Sequence, residues 1–189
     1  MKQPRNQVPQ AGNLLLSEPF LQDENFGRAV VLLCEHEEDS GSIGFVLNKP
    51  SVLNLGDLIN GLDLDAEVFV GGPVEQNTLH FIYFGDQQME ESKSLGNGVW
   101  WGGDFTQVVQ LLNAGKLNLN QVRFFLGYSG WSPGQLNDEL SEQTWIVYAD
   151  AYVQELFENS ADQLWRSLMK RLGGEFEIQS NYPTDPRLN

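Results

Sequence analysis

Residues 26–50 read FGRAVVLLCEHEEDSGSIGFVLNKP, and the fold turns on how this stretch is paired. Residues 29–34 form a continuous apolar run rich in Val and Leu, the pattern of a strand covered on both faces. Residues 37–41 are polar and end in Gly41, which is turn chemistry. Residues 43–47 are apolar again, so the stretch predicts a hairpin at the centre of a sheet. Its ends carry polar groups that a core does not need: Glu35 and His36 on one side, Asn48 and Lys49 on the other.

Working outward, Leu14-Leu15-Leu16 reads as a short strand stopped by Pro19, and residues 67–70, 79–84, 122–128 and 144–148 as further strands. Residues 92–101 give one or two short strands around Gly96-Asn97-Gly98. Asn54 is placed to cap a short helix. Asp104 opens a helix with the stripe Phe105, Val108, Val109, Leu111 and Leu112, ended by Gly115. Ser132-Pro133-Gly134-Gln135 has the form of a capping box with proline at the first helical position. Tyr152, Val153, Leu156 and Phe157 recur at helical spacing. Ser160 caps a last helix that runs to Gly173, and residues 176–178 read as an edge strand. Short turns between adjacent strands, with helices concentrated late, favour an α+β fold: a mixed, largely antiparallel sheet with helices outside it.

The 189 residues carry a formal charge of -15, which works against contact with a phosphate backbone. Arg166, Lys170 and Arg171 are the one basic cluster, and they suit the C-terminal end of the last helix. Cys34 is the sole cysteine, so there is no intramolecular disulfide, and a cysteine-based zinc site is not expected. The first ten residues lack the apolar segment of a secretory signal, and no run is long enough to span a bilayer. The expectation is a reduced, cytoplasmic protein without metal or other cofactor.

Four groupings invite chemistry. Gly127-Tyr128-Ser129-Gly130-Trp131 lies between strand and helix like a nucleophile elbow, but Trp131 stands where that motif needs glycine, and both histidines precede Ser129. Cys34, Glu35 and His36 offer metal-ligating atoms, although strand alternation turns them to different faces. Glu35 would make an acid–base pair with Glu139 or His36 if the fold joined them. Lys49 is placed to neutralise a carboxylate such as Glu35, or to receive an anion. Gly71-Gly72-Pro73 and Gly102-Gly103 are tight turns. Trp100, Trp101 and Trp131 lie beside glycines, where aromatics line grooves, whereas Trp145 and Trp165 fit a core.

Gly12-Asn13-Leu14-Leu15, Phe26-Gly27-Arg28-Ala29-Val30-Val31, Cys34-Glu35-His36 and Leu47-Asn48-Lys49-Pro50 together resemble the AlgH/YqgE family. So do Gly71-Gly72-Pro73-Val74 and the run from Gly127 through Trp131 to Gly134-Gln135-Leu136. The resemblance spans residues 11–174. It implies one domain, residues 12–178 between tails 1–11 and 179–189, with a bifurcated sheet curled into a pseudo-barrel. It implies a bacterial cytoplasmic protein without a settled activity. The family name comes from a proposed transcriptional regulator of alginate synthesis. The residues carried over are Glu35, His36, Asn48, Lys49, Gly71, Gly72, Pro73, Gly127, Trp131, Gln135 and Glu139. This chain departs from the family at Ala29, where many members have serine, and in a compressed segment before Gly71.

The reading that follows is a non-enzymatic regulatory protein that binds a small molecule or a partner protein. Its groove would lie between the hairpin end and residues 127–135, with Ser129 included. The rival reading is a hydrolase using Ser129 or a Glu35/His36 pair, and direct DNA binding comes last.

Overall fold

A computed structural model describes residues 7–59, 62, 64–149, 156–157 and 160–183. The hairpin is present: β2 (Val30–Glu37) pairs antiparallel with β3 (Gly41–Val46), with Leu32 opposite Phe45 and Glu35 opposite Ile43. On one side lies β1 (Leu14–Ser17), on whose outer edge β10 (Trp145–Tyr148) adds itself from late in the chain. On the other side lies β9 (Val122–Trp131), followed by β6 (Val74–Phe84), β8 (Val99–Trp101) and β7 (Lys93–Gly96). The expected α+β architecture with a large, mostly antiparallel sheet is therefore present. The ten strands are not closed into a barrel, because the path ends at β10 and β7.

The sheet forks at β9. This strand pairs with β6 from Val122 to Tyr128 and with β3 from Ser129 to Trp131. At Phe124, Phe125 and Leu126 it also takes a parallel partner, β5 (Glu67–Val70), which in turn carries β4 (Pro50–Asn54). Phe125 faces one cluster of the core and Trp131, six residues on, faces another, so the in–out alternation slips by one. The slip falls where Gly127 takes φ +67, and a Cβ there would stand 2.6 Å from Val74 O. At the same crossing a Cβ on Gly72 would lie 2.3 Å from the Tyr128 carbonyl carbon. These glycines let two backbones cross; side chains are excluded by contact.

One core cluster runs along a whole face of the sheet, from Leu14 and Leu32 through Phe45 and Phe125 to Ile82. Trp165, Leu168 and Met169 of α4 (Ala161–Leu172) cover it, with Phe176 of α5 (Gly174–Gln179). The opposite face is covered in two parts. Val108 of α2 (Phe105–Asn113) packs on Phe81 and Phe124, and Leu136 of α3 (Gln135–Ser141) packs on Leu15, Val31 and Trp131. Helices thus lie on both faces. Asn54 caps α1 (Leu55–Leu58) as expected, its N–H donating to Asp57 Oδ2 at 2.9 Å, and Asp104 Oδ1 caps α2 through Thr106 N at 2.7 Å.

Four expectations are corrected. Residues 127–131 continue β9 and form no strand-to-helix turn. Helix α3 begins at Gln135, because Gly134 adopts a left-handed conformation and Ser132–Gln135 closes as a turn before it. Residues 50–54, among which only Asn54 is assigned, as a helix cap, form a strand against β5. Residues 176–178 are helical: Gly173 at φ +69 ends α4, and Glu175 and Glu177 favour the N-terminal turn of α5. The helix expected at residues 152–157 and both chain ends, residues 1–6 and 184–189, lie wholly or largely outside the described residues. Among the described residues no helix is long and apolar enough to cross a membrane.

Candidate functional site

The polar groups at the two ends of the hairpin do not converge. Ile43 faces Glu35 across the ladder, and Asn48 lies five residues further along, roughly 16 Å at ~3.3 Å per residue.

At the tip, the ladder shifts between Leu33 and Glu35, a bulge that leaves Cys34 3% exposed in the core with Glu35 at the surface beside it. Glu35 forms an ion pair with Lys93 of β7, whose ammonium stands 5.1 Å from the centre of the Trp101 ring. The expected partner of Glu35, Lys49, is elsewhere. His36 Nδ1 bonds Ser42 Oγ across the hairpin at 2.8 Å. Around this tip opens a cleft of ≈ 540 Å³, whose walls include Glu35, Glu37, Ser40, Tyr128, Trp131 and Pro133. Two carboxylates line it, Glu35 with Lys93 at its back and Glu37 without an ion pair, and among the described residues no lysine or arginine forms its wall. Tyr128 carries an aromatic floor onward. Its ring meets His80 edge-on at 6.0 Å, and His80 lies 5.2 Å from Phe45. His80 Nε2 bonds Thr78 Oγ1 at 2.9 Å, and burial holds its pKa below 6.5 against the opposing charge of Glu75.

The base of the hairpin is closed. Asn48 Oδ1 accepts from Val30 N at 2.8 Å and its Nδ2 donates to Arg28 O at 2.9 Å, so the amide clamps the start of β2. Lys49 Nζ donates to Glu24 O at 2.6 Å, and burial lowers its pKa despite nearby Asp23. Arg28 Nη2 donates to Tyr182 O at 2.5 Å while its guanidinium lies 5.1 Å from the Trp165 ring. Gly71, Gly72 and Pro73 belong to the fork. Gly71 O accepts from Val46 N at 2.9 Å and from Ser129 Oγ at 3.0 Å.

That last bond places Ser129. It is 0% exposed and its hydroxyl is engaged by the fork, while each histidine bonds a different hydroxyl. The constellation of serine with an adjacent imidazole base is not assembled. Glu139 is likewise engaged. Its Oε2 accepts from the indoles of Trp131 at 2.8 Å and Trp145 at 2.7 Å, and its Oε1 from Gln135 Nε2 at 2.9 Å. Gln135 Oε1 in turn accepts from Ser132 N at 3.0 Å. Trp131, 6% exposed, therefore packs as core, although its edge reaches the cleft. Glu139 and Gln135 anchor α3 and do not pair with Glu35. Burial pushes the Cys34 thiol pKa well up, and among the described residues no group of three or more His, Cys, Asp or Glu is arranged to hold a metal ion.

Of the expected surface, then, Glu35, His36 and the edge of Trp131 meet at the tip, while Asn48, Lys49 and the glycines belong to the scaffold. Tyr128 completes the cleft wall, and Lys93 and His80 stand behind it, touching it through Glu35 and the Tyr128 ring. Tyr128 is read in the sequence as the end of the strand 122–128 and as part of a turn, with no site role, and Lys93 carries no signal toward Glu35, from which it is distant in the chain.

Comparison with known proteins covers nearly the whole chain. The sequence profile of a family described as AlgH-like matches residues 14–177. A UPF0301 protein of Cytophaga hutchinsonii is 42% identical over 180 residues, covering 94% of this chain and 98% of the relative. One of Chlorobium limicola is 41% identical over 179 residues, covering 94% and 95%. The solution structure of the AlgH protein from Pseudomonas aeruginosa matches with a TM-score of 0.71 at 27% identity, covering 97% of this chain and 98% of that one. A crystal structure from Corynebacterium diphtheriae matches at 0.75 with 22% identity, covering 93% and 94%, a likeness of fold alone.

Proposed function

This chain belongs to the AlgH-like family, and from that premise we propose that it is a binding protein whose partner docks in the cleft at the hairpin tip. The observation that carries the reading is the contrast in how polar groups are used. Ser129, Gln135 and Glu139 are held in internal hydrogen bonds, whereas Glu37 and the surface around Glu35 open into the cleft. An acidic cleft with an aromatic side fits a neutral or basic protein surface, and it does not fit a phosphate backbone. A regulatory role follows if occupancy of the cleft sequesters or recruits that partner. The formal charge of -15 supports the same choice over direct DNA contact.

The test compares the wild-type chain with a Glu35→Gln, Glu37→Gln double variant in capture from a bacterial extract. Trp131 and Gln135 are unsuitable for this purpose because they hold α3. A partner retained by the wild type, released by added salt and lost in the double variant supports the reading. Equal retention by both forms places the partner elsewhere and sinks it.

A further inference from the structure

Arg123 is a cation inside the protein. It projects from β9 opposite Ile82, on the face of the largest core cluster, and is 8% exposed. Among the described residues its one hydrogen bond runs from Nη1 to Leu47 O at 2.9 Å, and no carboxylate stands within ion-pairing distance. The guanidinium lies 4.6 Å from the ring centre of Phe69 and 5.4 Å from that of Phe157. Burial lowers its pKa to about 10 against the field of Glu67, which leaves it charged at neutral pH. A guanidinium has five N–H donors, and an unpaired buried charge is costly to keep.

The side chain borders a recess of ≈ 270 Å³, separate from the tip cleft, whose other polar members are Asp65, Glu67 and Asn120. Aromatic rings lie against the guanidinium, so a strong partner would meet the N–H edge in plane, the approach of a carboxylate making two parallel hydrogen bonds. A bare anion arriving there would also meet Asp65 and Glu67. A ligand carrying its own cation beside its carboxylate satisfies both sets of charges. The recess is slightly below the usual range for drug-sized ligands, about 300–1,000 Å³, which limits the guest to a few heavy atoms.

We propose that this recess binds a small zwitterion of the α-amino-acid type, its carboxylate on Arg123 and its ammonium toward Glu67 and Asp65. The site is independent of the tip cleft, and Glu35→Gln leaves it unchanged.

Titration calorimetry on the full chain tests this with glycine, L-alanine and L-leucine, against acetate, methylammonium and inorganic phosphate. At least one amino acid is expected to bind about tenfold or more tighter than acetate or methylammonium, the difference that one charge-assisted contact supplies. Arg123→Met is expected to abolish binding with the circular dichroism spectrum retained. Should that variant fail to fold, Glu67→Gln, at the surface, carries the test: it is expected to weaken the amino acid and to leave acetate as tight or tighter, because the charge that opposes a bare anion is gone. The proposal is overturned if no amino acid binds at millimolar concentration. It is equally overturned if acetate or phosphate binds as well as the amino acid, or if Glu67→Gln leaves the preference intact.

Discussion

The two ends of the β2–β3 hairpin use similar residues in opposite ways. At the base, Asn48, Lys49 and Arg28 each donate to a main-chain carbonyl from another part of the chain, and Asn48 also accepts from one amide. At the tip, among the described residues, Glu37 bonds only Ser40, at 2.5 Å, Glu38 and Asp39 are exposed, and Glu35 meets a single exposed lysine. A polar side chain engaged with backbone builds the fold, while one facing a cleft with few internal partners is available to something else. Family motifs mix the two kinds, and only partners and burial separate them.

Substitutions at the fork and base should affect stability, and those at the tip should affect binding. The largest effect is expected at the fork. In Gly72→Ala the new methyl meets Tyr128 and Ser129 backbone atoms at 2.3–2.4 Å, and the unfolding free energy should fall by at least about 3 kcal/mol in urea titration. Asn48→Ala comes next. It strands Val30 N and Arg28 O at the base and should cost about 2–4 kcal/mol, while partner capture by the folded fraction persists. A loss of capture in folded Asn48→Ala would break the distinction between the ends. Glu35→Gln should do the reverse. Its ion pair is 37% and 59% exposed at the two side chains, so stability should move by no more than about 0.5 kcal/mol while capture weakens.

The smallest effect is a pH dependence from His80, on the floor between the regions. Its folded pKa lies below the unfolded 6.5, so the unfolded chain takes up the proton first. The contribution is complete above about pH 6.5 and is lost as the pH falls toward the folded value. Unfolding midpoints between about pH 7.5 and 5.5 should therefore slope downward, and His80→Gln should flatten the slope. An unchanged slope in the variant would assign the acid sensitivity to other groups.

Much of the strand and helix pattern was legible because apolar runs such as residues 29–34 and the stripe of α2 repeat at the period of their own element. What stayed hidden depended on distant pairing. Nothing near Lys93 in the chain predicts Glu35 beside it, and β4 has too few apolar residues to announce a strand, with Val52 99% exposed. Residues 127–131 misled because glycine suits a turn and a close crossing equally well, and only the neighbour, Gly72 and Val74, decides between them. The site was legible in its residue types and illegible in its geometry. Trp131 and Glu139 are each expected on a ligand surface, and they bind each other.

The fork also fixes an order of events during synthesis. Strands β3, β5 and β6 all require β9, so a chain leaving the ribosome holds three unsatisfied edges until residue 131 has emerged. β1 waits longer still, for residues 145–148. Loop closure over such separations is slow, and open edges recruit other chains in the interval. The tip cleft, walled by β3 and β9, comes into being only when that long-range closure succeeds, so a partner that docks there would distinguish finished molecules from stalled ones.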